Sequence, residues 1–296
     1  MTRQQMVLFW SLLIVIGIGW GVTQPLTKMA VSTGHQPLGL IFWQLLIGAV
    51  AIGGFLWARG DLPRLTRSAI VAGLIIALIG TLIPNSASYK AIAHLPAGVT
   101  SILLSLIPMM AFPMALALRL EVFSALRFAG LAAGLAGVLF LVLPEASLPD
   151  PAMLVWIPVA LISPLCYAFE GNYVAKWGTG GLNAAQILFL ASVFGAIIAL
   201  PLALAAGHFI SPFRSWELAE WALVLSSVIH VVVYAGYVWL VGRAGPVFAI
   251  QVSYVVTAAG VVWAMLLLGE SYSPYIWASL LLVLIGVFLV QPRGKD

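Results

Sequence analysis

Apolar runs of about 20 residues recur along the whole chain, and short segments between them hold nearly all of its ionised side chains. One such run could be a buried core helix; a continuous series excludes a water-soluble core. Of the 296 residues, 63% are apolar and 7% charged, against about 25% charged in soluble domains. The chain therefore reads as an all-α polytopic membrane protein. Spans are expected near residues 7 to 29, 37 to 58, 68 to 89, 97 to 118, 124 to 143, 152 to 175, 183 to 206, 217 to 241, 246 to 268 and 274 to 291. The connections are too short to fold alone. Span 1 is too long for a signal peptide and continues through Gln24 and Pro25 to Lys28, so it reads as a retained helix. A lone Cys166 excludes an intrachain disulfide, and His35, His94, His208 and His230 have no metal-ligand spacing. No metal or other cofactor is expected. The net charge of +4 belongs to loops that set orientation, so no nucleic-acid partner is expected either.

Placing the N-terminus in the cytoplasm puts Arg3, Arg59, Arg64, Arg67, Arg119, Arg127, Lys176, Arg243, Arg293 and Lys295 inside, with Lys28, Lys90 and Arg214 outside. This is the asymmetry that cytoplasmic loops carry, and it also places the C-terminus inside. Asp61, Glu121 and Asp296 then lie inside, and Glu145, Asp150, Glu217, Glu220 and Glu270 outside. Glu170 alone falls within a span.

Sliding the chain against itself by about 148 residues gives a connected self-match. The stretch from Trp20 to Lys28 faces that from Tyr167 to Lys176; Tyr89 faces Tyr237, Ser105 faces Ser253, and the span-ending Glu121 faces Glu270. Five helices per copy is an odd number, so the second copy enters the membrane upside down. Residues 1–147 and 148–296 are thus expected to form one transmembrane domain from two inverted repeats, with a substrate site between them near the midplane.

Ten spans, the five-plus-five repeat, Trp20-Gly21 in span 1, the run Ala97 to Pro108 and the helix-ending Glu121 together resemble the drug/metabolite transporter superfamily. More narrowly the chain resembles the EamA-type exporters, and its aromatic pocket candidates look most like the bacterial aromatic amino acid exporters of the inner membrane. The resemblance implies a multi-pass inner-membrane exporter of small metabolites working by alternating access. Many EamA-type members have an arginine in span 2 where this chain has Gln44, so no charge-based role carries over to that position.

Polar groups in lipid face the bundle interior or a wet cavity. Glu170 is the sharpest candidate: a desolvated carboxylate can exchange a proton near neutrality, although it could equally pair with Lys176 or cap a break at Gly171. His230 is the second candidate for proton coupling, and a neutral hydrogen-bonded role is open to it too. Substrate-binding candidates are the aromatics Trp20, Tyr89, Tyr167, Tyr234, Tyr237 and Tyr254, with Gln24, Asn85, Ser101, Ser105, Met109, His230, Gln251 and Thr257. Ser101, Ser105 and Met109 share a stripe at four-residue spacing, as Ile250, Tyr254 and Thr257 do on span 9. Trp10, Trp57, Trp156, Trp177, Trp216, Trp221 and Trp277 sit at span ends and belong to interfacial belts. Pro25, Pro84, Pro108 and Pro164 are positioned to bend helices. Gly130, Gly134 and Gly137 form a small-residue face suited to span 10, of this subunit or a second; a monomer and a weak homodimer both fit.

These features point to a secondary transporter for small amphipathic metabolites, with aromatic or other neutral amino acids leading. Lipophilic cations are an alternative, since an acid with tyrosines suits them. Sugar phosphates or nucleotide sugars would need basic residues in the cavity; every basic residue lies at or beyond a span end, though Lys28, Lys90 and Lys176 could reach inward. An ATP-driven pump lacks its phosphate loop, an intramembrane enzyme its paired catalytic groups, and a channel its charged ring or carbonyl filter. With Cys166 replaced by serine, single cysteines at Glu145 and Ser211 should react with an impermeant maleimide outside intact cells, while ones at Thr66 and Arg243 should not. The reverse pattern would overturn the orientation.

Overall fold

Helix starts follow local chemistry. Thr66 accepts from Ala69 N (3.2 Å) and Ser124 from Arg127 N (3.5 Å), while Asn183 with Gln186, and Glu217 with Glu220, form capping boxes. These caps mark the spans expected from 68, 124, 183 and 217. The structure, a computed structural model, describes residues 3–143, 147–213, 215–249 and 251–290. Glu145, Arg214, Ile250, Arg293, Lys295 and Asp296 lie outside the described residues, so the orientation argument keeps only part of its charge count in structural terms.

All regular elements among the described residues are helical. The first half comprises α1 (Arg3–Gly21), α2 (Thr23–Val31), α3 (Pro37–Ala58), α4 (Arg67–Ile76), a π-helical turn (Ala77–Leu82), α5 (Ile83–His94), α6 (Ala97–Leu104), α7 (Ile107–Ala117) and α8 (Ala125–Val142). The second comprises a 3-10 turn (Pro151–Trp156), α9 (Ile157–Trp177), α10 (Ala184–Ala205), α11 (Leu218–Ala244), α12 (Pro246–Ala249), α13 (Val252–Leu268) and α14 (Pro274–Val290). Joined end to end, these give eight stretches among the described residues that are long and apolar enough to cross a membrane, from Arg3–Val31 to Leu218–Ala244. The two remaining expected spans, 246 to 268 and 274 to 291, correspond to shorter apolar helices among the described residues. α13 and α14 are apolar but have only 17 residues each, roughly 26 Å of helix at 1.5 Å per residue against a hydrocarbon core of about 30 Å.

Three prolines account for the interruptions of the first half. Span 1 breaks at Val22 before Pro25, span 3 passes through the π-turn before Pro84, and span 4 breaks at Ser105-Leu106 before Pro108. A proline supplies no N–H and clashes one turn back. Pro164, in contrast, sits inside the continuous α9, and so does Gly171. The belt tryptophans Trp10, Trp57, Trp177, Trp216, Trp221 and Trp277 are all exposed, whereas Trp156 stacks on His94 with ring centroids 3.7 Å apart.

The small-residue face of α8 meets α14 of the same chain. A Cβ on Gly130 would lie 2.7 Å from the Gly286 carbonyl oxygen, and one on Gly137 would lie 2.6 Å from Val283 Cγ2. Gly130→Leu should therefore cost about 1–3 kcal/mol, the usual range for overpacking, and lower the melting temperature of the detergent-solubilised protein. Gly54→Leu, at a helical glycine with open space around it, should not. Equal melting temperatures for both variants would show that the α8–α14 approach is not close.

Candidate functional site: a polar group joining five spans

The groups that sequence reasoning singled out converge from separate helices. On α1, Trp20 Nε1 donates to His230 Nδ1 of α11 at 3.2 Å. Tyr237 meets the Trp20 ring edge-on with centroids 5.8 Å apart, and Tyr234 lies parallel to His230 at 6.5 Å. Across the space from α11, Glu170 on α9 lies within Coulomb range of Tyr234 and Tyr167. Tyr167 OH donates to Asn85 Oδ1 at 3.0 Å, Asn85 Nδ2 donates to Gln44 Oε1 at 3.4 Å, and the Tyr89 hydroxyl donates to the same Gln44 oxygen. Spans 2, 3 and 6 thus share one hydrogen-bonded group and spans 1 and 8 another, with Glu170 near both, while the Tyr234 hydroxyl donates to Ala184 O at 3.5 Å.

Glu170 makes no hydrogen bond or ion pair among the described residues. Its carboxyl packs on the π-turn, where a Cβ on Gly80 would stand 2.7 Å from Cδ and Oε1. A larger residue there would displace the carboxyl. Neither alternative role for Glu170 is realised: Lys176 donates to Leu118 O at 3.3 Å and sits over the Trp177 ring, and α9 runs through Gly171 without a break. Gly171 itself faces open space.

Several candidates lie elsewhere. Ser101 and Ser105 are buried and donate to Ala97 O (3.0 Å) and Ile102 O (2.7 Å); Thr257 is buried and donates to Ser253 O (2.8 Å). Met109 is buried between the glycine faces of α8 and α14. The Tyr254 hydroxyl is buried without a hydrogen-bond partner among the described residues. Gln24 and Gln251 are half-buried. Sequence reasoning missed Gln44, Gly80, Ser163 and Asn172. Ser163 Oγ donates to Pro84 O at 2.6 Å, and Asn172 Nδ2 to Ala111 O at 3.0 Å and Ala168 O at 2.9 Å, tying α9 to spans 3 and 4. The signal available for Ser163 was its adjacency to Pro164, opposite Pro84.

One end of the bundle is tied shut. Glu270 accepts from Ala97 N (2.7 Å), Gly98 N (3.2 Å) and Tyr272 OH (2.5 Å), capping the start of α6. Burial and the bond to Glu270 push the Tyr272 hydroxyl far above its ordinary range. Lys28 Nζ, near Glu270, donates to Leu95 O at 2.7 Å and Ala93 O at 3.3 Å. His35 Nε2 and Glu220 Oε1 lie 2.8 Å apart at the same end. A recess of about 230 Å³ remains beside Lys28 and Glu270. At the other end Glu121 pairs with Arg127 at 2.9 Å on its own loop. There α7 and α9 stand off from α1, α11 and α12, without the packing that joins α2, α5, α6 and α13 at the Glu270 end. A recess of about 550 Å³ at that end, lined by Arg67, Tyr173 and Trp177, does not include the Trp20 to Gln44 group.

The sequence profile of the EamA-like transporter family matches twice, over residues 8–143 and 154–291. The chain belongs to the EamA-like transporter family. It is 24% identical to an auxin-induced protein of Pinus taeda over 94% of this chain and 77% of that one. It is also 24% identical to the uncharacterized inner membrane transporter YedA of Escherichia coli, over 97% and 92% of the two chains. A crystal structure of a protein 16% identical in sequence shares the fold, with a TM-score of 0.62 over 98% of both chains. The chain is accordingly a multi-pass membrane transporter of this family. Removing the cap with Glu270→Ala should raise the labelling rate of a cysteine at buried Leu95, in detergent and without Cys166, about tenfold or more, as loss of a charge-assisted hydrogen bond would. An unchanged rate would show that the seal does not depend on Glu270.

Proposed function

We propose that this protein exports small amphipathic metabolites, foremost neutral and aromatic amino acids, across the bacterial inner membrane by alternating access. In this reading ten helices cross the membrane as two inverted five-helix repeats, both termini are cytoplasmic, and the Glu270 end faces outward. The carrying observation is the group of Trp20, His230, Tyr234, Glu170, Tyr167, Asn85 and Gln44, which holds aromatic faces, neutral dipoles and one unpaired acid. Ring faces suit a planar side chain at about 0.5–1.5 kcal/mol beyond burial. Neutral dipoles and the acid suit a zwitterionic head.

A sugar phosphate is disfavoured because the nearest lysines are engaged away from this group, Lys28 on the Leu95 carbonyl and Lys176 on that of Leu118. A lipophilic cation is the second reading, supported by the unpaired Glu170 beside Tyr167 and Tyr234. Alternating access is supported by the difference between repeat-related acids: Glu270 caps α6, while Glu121 is drawn to Arg127 and leaves the start of α12 uncapped by it. Exchange of these two roles is the motion that would close one end and open the other.

Transport into proteoliposomes of a substrate panel, with and without a pH gradient, tests the reading. Trp20→Ala should weaken phenylalanine or tryptophan transport about tenfold, equivalent to about 1.4 kcal/mol, with normal insertion. If Glu170 carries the coupled proton, Glu170→Gln should abolish gradient-driven accumulation while substrate exchange persists. Vesicles that move sugar phosphates and not amino acids would refute the substrate class, and unchanged gradient dependence would remove Glu170 from coupling.

A further inference from the structure

Gln44 uses its amide asymmetrically. Tyr167 donates to Asn85 Oδ1, which leaves Asn85 its Nδ2–H to give; that donor and the Tyr89 hydroxyl both end on Gln44 Oε1. The two lone pairs of that oxygen are then occupied. Gln44 Nε2, with two N–H donors, has no hydrogen-bond partner among the described residues. The residue is half-buried and the nitrogen is not sealed from the surface, in contrast to Tyr89, which is 6% exposed. Half-buried Asn85 and buried Tyr89 thus hold the oxygen and leave the two N–H donors free. Along the same chain of contacts, Tyr167 stands one helical turn from Glu170 on α9, so an unpaired donor pair and an unpaired acid lie at the two ends of that chain.

We infer that Gln44 is a specificity-determining residue that receives the carboxylate of the substrate, with Glu170 facing its ammonium group. The site then reads both ends of a zwitterion rather than a cation alone. The inference rests on the amino-acid reading above and sharpens it: the head group, and not only the aromatic side chain, is selected. A carboxylate placed on two fixed N–H donors gains charge-assisted hydrogen bonds that an amine without a carboxylate cannot make.

Phenylalanine and phenethylamine differ in that carboxylate, so their affinities for purified full-length protein, measured by calorimetry, isolate it. Gln44→Glu keeps an oxygen for Asn85 and Tyr89 to donate to, and replaces the two free donors by a second oxygen. It should lower phenylalanine affinity about tenfold or more and leave phenethylamine within about threefold of wild type or tighter. Gln44→Met, which removes the amide without adding charge, should show the same selective loss and covers the case in which the glutamate variant misfolds. Equal losses for both ligands, or phenylalanine binding retained, would overturn the assignment while leaving the amino-acid reading in place. A wild-type protein that binds neither ligand would overturn the amino-acid reading, and the Gln44 assignment with it.

Discussion

Backbone polar groups in a bilayer have no water to bond, so every helix break must be repaired from within the protein. Hydroxyl side chains do that repair here. At the span 1 break Thr23 Oγ1 donates to Trp20 O at 2.7 Å, and at the span 4 break Ser105 donates to Ile102 O. In span 3, Thr81 donates to Ala77 O at 2.5 Å within the π-turn, and Ser163 reaches across from α9 to the carbonyl of Pro84. The breaks are therefore stable features, and they shape the site: the π-turn sets Gly80 against Glu170, and the span 1 break follows directly on Trp20. Without Pro84 a regular helix would run through Gly80, and the turn on which the carboxyl rests would be lost.

The two family matches, residues 8–143 and 154–291, describe similar sequences in unlike surroundings. Residues Ala97 to Leu103 of α6 are all buried, and Ser101 presses on Gly260, where a Cβ would come within 2.5 Å of its oxygen. In the related stretch of the second copy, residues 245–251, Ala249 is buried while Gly245, Phe248 and Gln251 are only half-buried. The acid that ends the second copy caps the first copy's helix; the acid that ends the first copy does not return the contact. Identical halves would have no reason to differ in this way. The asymmetry is one of contacts: at one end Glu270 accepts from three donors across the two copies, and at the other Glu121 pairs with Arg127 of its own copy.

Much of this was legible in the sequence, because lipid leaves few structural options. Apolar run length placed the helices, prolines placed three of the four expected distortions, and Gly130 with Gly137 marked the α8–α14 seam. Trp20, His230, Tyr234, Tyr167, Asn85 and Glu170 were readable as polar or aromatic groups inside spans. The serines and Thr257 looked equally promising, yet a hydroxyl one turn from a carbonyl is satisfied by its own helix, and no pattern in the chain distinguishes that from facing a lumen. Met109 lies on the same stripe, and its neighbours Gly134 and Gly286 are on other helices, which no spacing within its own span reveals. Gln44 was passed over because it lacks the charge expected at its position, and Gly80 because its role is to be empty. The span expected over 246 to 268 is divided between α12 and α13, a division that apolar run length alone does not reveal.

An unpaired acid in a membrane helix needs an account of why nothing neutralises it. The bases that could reach inward are held by carbonyls at span ends, Lys28 by Ala93 and Leu95, Lys176 by Leu118. Position 44 holds a neutral glutamine, tied to Asn85 and Tyr89. An arginine at 44 would bring a fixed positive charge into the group that contains Glu170, and ion pairing would compete with any ligand for both. With glutamine the group carries no fixed positive charge, and in the proposed reading Glu170 is balanced by a proton or a substrate ammonium. Mutual exclusion at a single carboxylate would then be sufficient to link the two. The neutral residue at 44 is in this sense what leaves Glu170 available.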